Sequence, residues 1–228
     1  NFTGKFSKGI SKNNTVSKLL KILEKDRLIK DKKFEIKIKK KIPQKSGMGG
    51  GSMNAASLLK YFINKKIINI STRKVKEIAN KVGSDVCLGL DRKNSILFKN
   101  GEVSRLNKKI NFYVLIVKPN IGCSTRLVYK QINKYSKSKY KRNSATFFTT
   151  NNLIESKNDL EKIVLNKYPV IKSIKYFLIN LPNITFVRMT GSGSGIVAYF
   201  KSKRAANYAA RIFRTNYKKY WSVVSKTI

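Results

Sequence analysis

The stretch Ile42-Pro-Gln-Lys-Ser-Gly-Met-Gly-Gly-Gly-Ser-Met-Asn-Ala-Ala-Ser57 decides the reading of this chain. Upstream of it, Phe34, Ile36, Ile38 and Ile42 share one parity against Glu35, Lys37, Lys39 and Lys41, the alternation of a half-buried strand. Downstream, Ser52 to Ile63 is rich in Ala and Leu and reads as a helix. A strand, glycines at 47, 49, 50 and 51, and then a helix is the layout of an anion cradle. Residues without side chains let backbone N–H groups approach phosphate oxygens, and the helix N-terminus adds partial positive charge. Ser52 could offer a hydroxyl to a phosphate or a Mg²⁺ ion, and Lys45 a point charge. The stretch is not a Walker A loop, because no Gly-Lys-Ser/Thr closes it. Nor is it a GxGxxG fingerprint, because Ser52 stands where the last glycine belongs. The alternative is a flexible turn.

Working outward, Asn13-Asn14 can cap a helix whose apolar positions are Val16, Leu19, Leu20 and Leu23. A second helix is expected over Thr72 to Val82, stopping at Gly83. Gly83-Ser84-Asp85-Val86 then forms a turn carrying one of only 11 acids in the chain. Its carboxylate could accept or orient a hydroxyl proton, although a plain helix-ending turn explains it as well. Asn100-Gly101 between Ser95–Phe98 and Val103–Leu106 signals a hairpin. Further strands are expected over Asn111–Val117, Ile184–Met189 and Ile196–Phe200, with a last one near Trp221. Helices are expected over Thr125–Ile132, Asp159–Val164, Val170–Leu181 and Arg204–Phe213. Tyr135 to Arg142, rich in Lys, Ser and Tyr, reads as a surface loop. Thr190-Gly-Ser-Gly-Ser-Gly195 joins two strands and gains functional weight only if it meets the first glycine loop in space. Mixed strands and helices throughout argue for α/β layering, against an all-α or all-β fold.

The composition closes off several chemistries. The chain has 228 residues, 41% hydrophobic and 27% charged, enough apolar material for a real core. It contains no histidine, which removes Ser-His triads and His-ligated metals from it. Cys87 and Cys123 lie far apart with no CxxC spacing, so neither a zinc site nor a disulfide framework is expected. No apolar run approaches a membrane span, and no signal peptide opens the chain, so no membrane partner and a cytoplasmic setting are expected. The net charge of +39 invites a polyanionic partner. Against nucleic acid, the lysines are spread along the chain and Arg, the better reader of phosphates and bases, is scarce. A solvated lysine surface is the favoured reading, with no specific nucleic acid; a basic nucleic-acid-binding protein is the alternative.

Taken in order, these segments resemble the GHMP kinase superfamily, and within it the branch whose acceptor is a cytidine diphosphate methylerythritol. The resemblance rests on Lys41-Ile-Pro-Gln-Lys-Ser-Gly-Met-Gly-Gly-Gly-Ser-Met-Asn-Ala-Ala56, on Gly83-Ser-Asp-Val86, and on Pro119-Asn-Ile-Gly-Cys-Ser-Thr-Arg-Leu-Val-Tyr129. It rests also on Asn158-Asp-Leu160 and Arg188-Met-Thr-Gly-Ser-Gly-Ser-Gly195, with Trp221 near the end. The family's Lys-x-Asn strand and Gly-Tyr-His turn are not in this sequence, so the resemblance implies an N-terminally shortened member.

What the resemblance implies is specific. The fold would be α+β in two domains. Residues 1–108 would form part of a ribosomal-protein-S5-domain-2-like, ATP-binding domain, and 109–228 a ferredoxin-like domain. ATP with Mg²⁺ would be held by Pro43, Lys45, Ser46, Gly47, Met48, Gly49, Gly50, Gly51, Ser52 and Asn54, with no protein metal site. Asp85 would activate the acceptor hydroxyl. Thr125, Tyr129, Gly191, Ser192 and Gly193 would join Asp85 around the acceptor, Tyr129 stacking on its cytosine. Such an enzyme works as a monomer or weak homodimer on a small-molecule substrate. Another GHMP kinase with a different alcohol acceptor stays open.

Overall fold

The computed structural model describes residues 1–30, 32–107, 109–137 and 148–227. They form two compact units, one of Asn1–Ile42 with Gly49–Leu106, the other of Pro43–Met48 with Asn107–Ile228. The segment Pro43–Met48 groups with the second unit, not with the residues that flank it in sequence.

In the first unit, helix α1 (Thr15–Lys25) starts at Asn14, whose side chain accepts from Val16 and Ser17 N–H while Ser17 answers the cap N–H, a capping box. Helix α2 spans Gly50–Asn64, and α3 spans Thr72–Val82 with Ser71 as its cap. Their apolar faces meet in a core of Leu19, Leu23, Ala55, Leu59, Phe62 and Ile78. Each large apolar side chain fully buried there contributes roughly 1.5–3 kcal/mol. Helix α3 stops at Gly83 as expected, with φ 169°, an extended backbone that any residue adopts.

The strand expected over residues 34–42 shrinks to β2 (Ile38–Lys39), paired in parallel with β1 (Phe2–Thr3). Its alternation is real, since Phe34 packs on Phe62 at 4.8 Å. The only neighbour it pairs with among the described residues is two residues long, so the ladder has two rungs. The hairpin does form, as β3 (Asn94–Leu97) and β4 (Val103–Leu106), with Gly101 at φ 82° and Phe98 closing on Glu102.

The second unit is built on an antiparallel sheet of β5 (Tyr113–Lys118), β6 (Phe186–Met189), β7 (Ile196–Phe200) and β8 (Trp221–Lys226), in the order β6-β7-β5-β8. Helices α4 (Thr125–Tyr129), α5 (Thr150–Glu155), α6 (Asp159–Lys167) and α7 (Pro169–Ile179) lie between β5 and β6 in sequence; α8 (Lys203–Asn216) joins β7 to β8. This is the β-α-β-β-α-β order of a split βαβ unit. Period-2 patterning feeds both faces of the sheet. Leu115, Val117, Ile196, Ala198 and Phe200 enter the core with Ile171, Ile174, Leu178 and Phe213. Val114 and Val197 pack on the opposite face with Phe112, beside Phe186 and Tyr199. Helix α5 had no counterpart in the sequence reading. The loop expected over Tyr135–Arg142 falls largely outside the described residues. Among the described residues no helix is long and apolar enough to cross a membrane.

Candidate active site

Helix α2 begins earlier than Ser52, so Gly50 and Gly51 sit inside its first turn. Its cap is Gly49, in the left-handed region at φ 61°, with no side chain to cover the first-turn N–H groups. A methyl group on Gly49 would meet only the Asp85 carboxylate, at 3.6 Å, and one on Gly50 only the Lys40 ammonium, at 3.8 Å. Those two positions therefore front open space at a bare helix N-terminus, the cradle that a phosphate needs. Gly51 differs. A methyl there would come within 3.0 Å of Thr15 Oγ1, so its missing side chain admits helix α1. Ser52 and Asn54 are half-buried on the same helix. Asp85 stands exposed on a 3-10 turn, Ser84–Val86. Lys40 and Thr15 belong to this group and were not read from the sequence. In a chain with lysine everywhere, nothing marks Lys40.

The other half of the glycine stretch lies in the second unit, where three segments converge. Pro43 and Ser46 are buried. Ser194 N–H donates to the Lys45 carbonyl (3.3 Å), Gly195 N–H to that of Ser46 (3.1 Å), and Thr190 Oγ1 to that of Gly47 (3.0 Å). Gly47, at φ 72°, packs its Cα against the Thr190 carbonyl so closely that a methyl group has no room. The two glycine loops therefore do meet. Gly191 lies against the Gly47 carbonyl, and a Cβ on it would stand 2.7 Å from that oxygen. The third segment follows β5. Gly122 lies under the Lys45 stem, Ser194 Oγ donates to the Ile121 carbonyl, and Thr125 Oγ1 and Ser192 Oγ share a 2.8 Å hydrogen bond. Lys118 anchors this turn from within, its ammonium donating to the Pro119 (2.9 Å) and Ile121 (2.8 Å) carbonyls. Burial pushes its pKa below the ordinary lysine value, and likewise pushes the neighbouring Cys123 thiol up. Gly193 packs on Cys123 and Met189. Tyr129 is half-exposed, one turn along α4 from Thr125. Met48 is half-buried at the end of this segment.

Thus Gly49, Gly50, Gly51, Ser52, Asn54 and Asp85 come together in the first unit. Pro43, Lys45, Ser46, Gly47 and Met48 gather in the second with Thr125, Gly191, Ser192 and Gly193.

A bare helix start beside a carboxylate, on a chain that docks one glycine loop into another, is an arrangement suited to a phosphorylated ligand. Residues 14–91 match the GHMP kinases N terminal domain, and residues 148–219 the GHMP kinases C terminal domain. A 4-diphosphocytidyl-2-C-methyl-D-erythritol kinase of Pelagibacter ubique is 51% identical over the whole chain, which covers 81% of that protein. One of Thermodesulfovibrio yellowstonii is 31% identical over 95% of the chain and 78% of its own length. The chain belongs to the 4-diphosphocytidyl-2-C-methyl-D-erythritol kinase family. The fold agrees with a crystal structure of 4-(cytidine 5'-diphospho)-2C-methyl-D-erythritol kinase, at TM-score 0.77 and 20% identity over 98% of this chain and 81% of that one. Homoserine kinase from Cytophaga hutchinsonii shares it at TM-score 0.72 and 16% identity, over 100% of this chain and 81% of that one.

Proposed function

We propose that this chain transfers the γ-phosphoryl group of ATP to the 2-hydroxyl of 4-diphosphocytidyl-2-C-methyl-D-erythritol, in the non-mevalonate route to isopentenyl diphosphate. The observation that carries the mechanism is Asp85 beside Gly49, at the bare start of α2. Such chemistry is mainly positioning and charge stabilisation. ATP, bound with Mg²⁺, would supply the γ-phosphoryl group, with ADP leaving as the bond from the γ-phosphorus to the bridging oxygen breaks. The N–H groups of Gly50, Gly51 and Ser52 would hold its anionic oxygens, with Lys40 beside them. Asp85 would orient the acceptor hydroxyl and take its proton as the new O–P bond forms. Mg²⁺ would enter with the nucleotide, held by its phosphate oxygens. In the second unit, Thr125, Ser192 and Tyr129 would contact the acceptor, stacking of a base on Tyr129 being worth about 1–3 kcal/mol. We place the enzyme in the cytoplasm, with a small-molecule substrate.

The test is direct. The purified chain is incubated with ATP, Mg²⁺ and the cytidine diphosphate methylerythritol, and new phosphomonoester is followed by ³¹P NMR. Homoserine, mevalonate and galactose serve as competing acceptors. Phosphorylation of the cytidine compound alone is expected; preference for another alcohol would overturn the acceptor assignment.

A further inference from the structure

The geometry points to Asn158 and Glu161 as positioning residues that hold the Thr190–Gly195 loop, and through it Lys45–Gly47, in register for phosphoryl transfer; this rests on the function just proposed. Asn158 starts α6, its Oδ1 accepting from Leu160 N–H at 3.1 Å. The nitrogen of the same amide faces the other way. It donates to the Gly191 carbonyl at 2.8 Å and the Met189 carbonyl at 3.0 Å. Three residues on, Glu161 stands where a capping-box glutamate turns back to the cap N–H. Its Oε1 instead accepts the Met189 N–H at 2.8 Å, and its Oε2 pairs with Lys175 of α7 at 2.9 Å. That pair is well shielded, with side-chain exposures of 14% for Glu161 and 21% for Lys175.

The loop's entry is thus held by three bonds from one helix start. The held residues are those that touch the first glycine loop. Thr190 donates to the Gly47 carbonyl, and Gly191 packs on the same oxygen. The run Asn158-Asp-Leu-Glu161 has every side chain committed. Asp159 accepts from Ser136 N–H and Oγ at 2.9 and 3.0 Å, and Leu160 enters the core. A helix start needs only one capping oxygen; the remaining polar atoms of Asn158 and Glu161 are spent on another segment, 28 to 33 positions away.

The test separates capping from tethering. Asn158→Asp keeps the capping oxygen but turns an oxygen toward two carbonyls, and Asn158→Ser keeps a cap too short to reach them. In both, amide exchange at Met189–Gly195 should accelerate about tenfold or more while α6 amides stay protected. Turnover should fall about ten- to a hundredfold, the range expected for two lost hydrogen bonds. Glu161→Gln, which retains the acceptor for Met189, should keep more activity than Glu161→Ala. Unchanged loop exchange overturns the tether. Faster exchange with unchanged kcat/KM overturns its role in transfer, and α6 and the loop opening together would make Asn158 a cap alone. The unsubstituted chain is the control for the function itself. If it fails to phosphorylate the cytidine compound, the functional reading falls, and the exchange pattern still decides the tether.

Discussion

Gly50→Ala should raise the stability of this protein and weaken its grip on nucleotide. Gly50 lies in the first turn of α2 with an ordinary helical backbone, and the only atom near an added methyl is Lys40 Nζ at 3.8 Å. Alanine there fits without strain and narrows the unfolded ensemble, a gain of about 0.4–1 kcal/mol. For a chain of this size that raises Tm by roughly 1–4 °C. The same methyl would stand in the space where a phosphate oxygen must reach the N–H groups of the turn. Losing one charge-assisted hydrogen bond costs about 1.5–3 kcal/mol, which weakens binding roughly ten- to 150-fold. Thermal unfolding and calorimetric titration with a non-hydrolysable ATP analogue on the same preparation read both effects. A more stable variant with unaltered nucleotide affinity would refute the cradle, because no loss of fold could then be blamed for or hide the result.

Asp85→Asn should lower turnover by roughly 10²–10⁴ while nucleotide affinity holds, checked by steady-state kinetics beside the same titration; near-normal turnover removes Asp85 from proton transfer. Gly47→Ala forces a left-handed alanine against the Thr190 carbonyl and should cost roughly 2–5 kcal/mol, lowering the Tm of the second unit. A Tm held within about 2 °C would show that the two loops are not locked together. The ion pairs of α3 set an acid limit. The Lys74 ammonium, 2.8 Å away, holds the Asp26 carboxyl below its ordinary range, and the hydrogen bond from Lys81 does the same for Glu77. With folded values depressed, the unfolded chain takes up protons first, so their contribution is present above about pH 4 and disappears as pH falls through the folded values. Asp26→Asn should flatten the fall of Tm in that range, and an unchanged pH profile would show the Lys74 pair to be idle.

Much of this was written locally in the chain. The apolar runs of β5 and β7, the Asn14 cap, the Asn100-Gly101 hairpin and the Gly49–Gly51 string each announce themselves within a few residues, because hydropathy and backbone freedom are local properties. What the sequence hid was non-local. Four glycines looked alike, yet Gly47 admits a neighbouring carbonyl, Gly51 admits helix α1, and only Gly49 and Gly50 face open space. The Asn158-x-x-Glu161 spacing reads as a helix start, but nothing in it says that both side chains reach Met189 and Gly191. Lys118 and Lys40 were invisible for a different reason. In a chain with 50 basic residues, neither a lysine bonded to backbone carbonyls, as Lys118 is, nor one beside a helix start, as Lys40 is, carries a compositional signal.

The carbonyls of Lys45, Ser46 and Gly47 find their donors in residues 190–195, although they precede α2 by only a few positions. A fragment stopped at Leu106 would strip those oxygens of every such donor, and one begun at Asn107 would leave Ser194, Gly195 and Thr190 donating to water. Neither piece could be expected to reproduce half of the behaviour, and complementation by mixing them would require a short strip of one chain to thread back onto the other. Biochemical dissection of this enzyme is therefore better done by point substitution than by scissors.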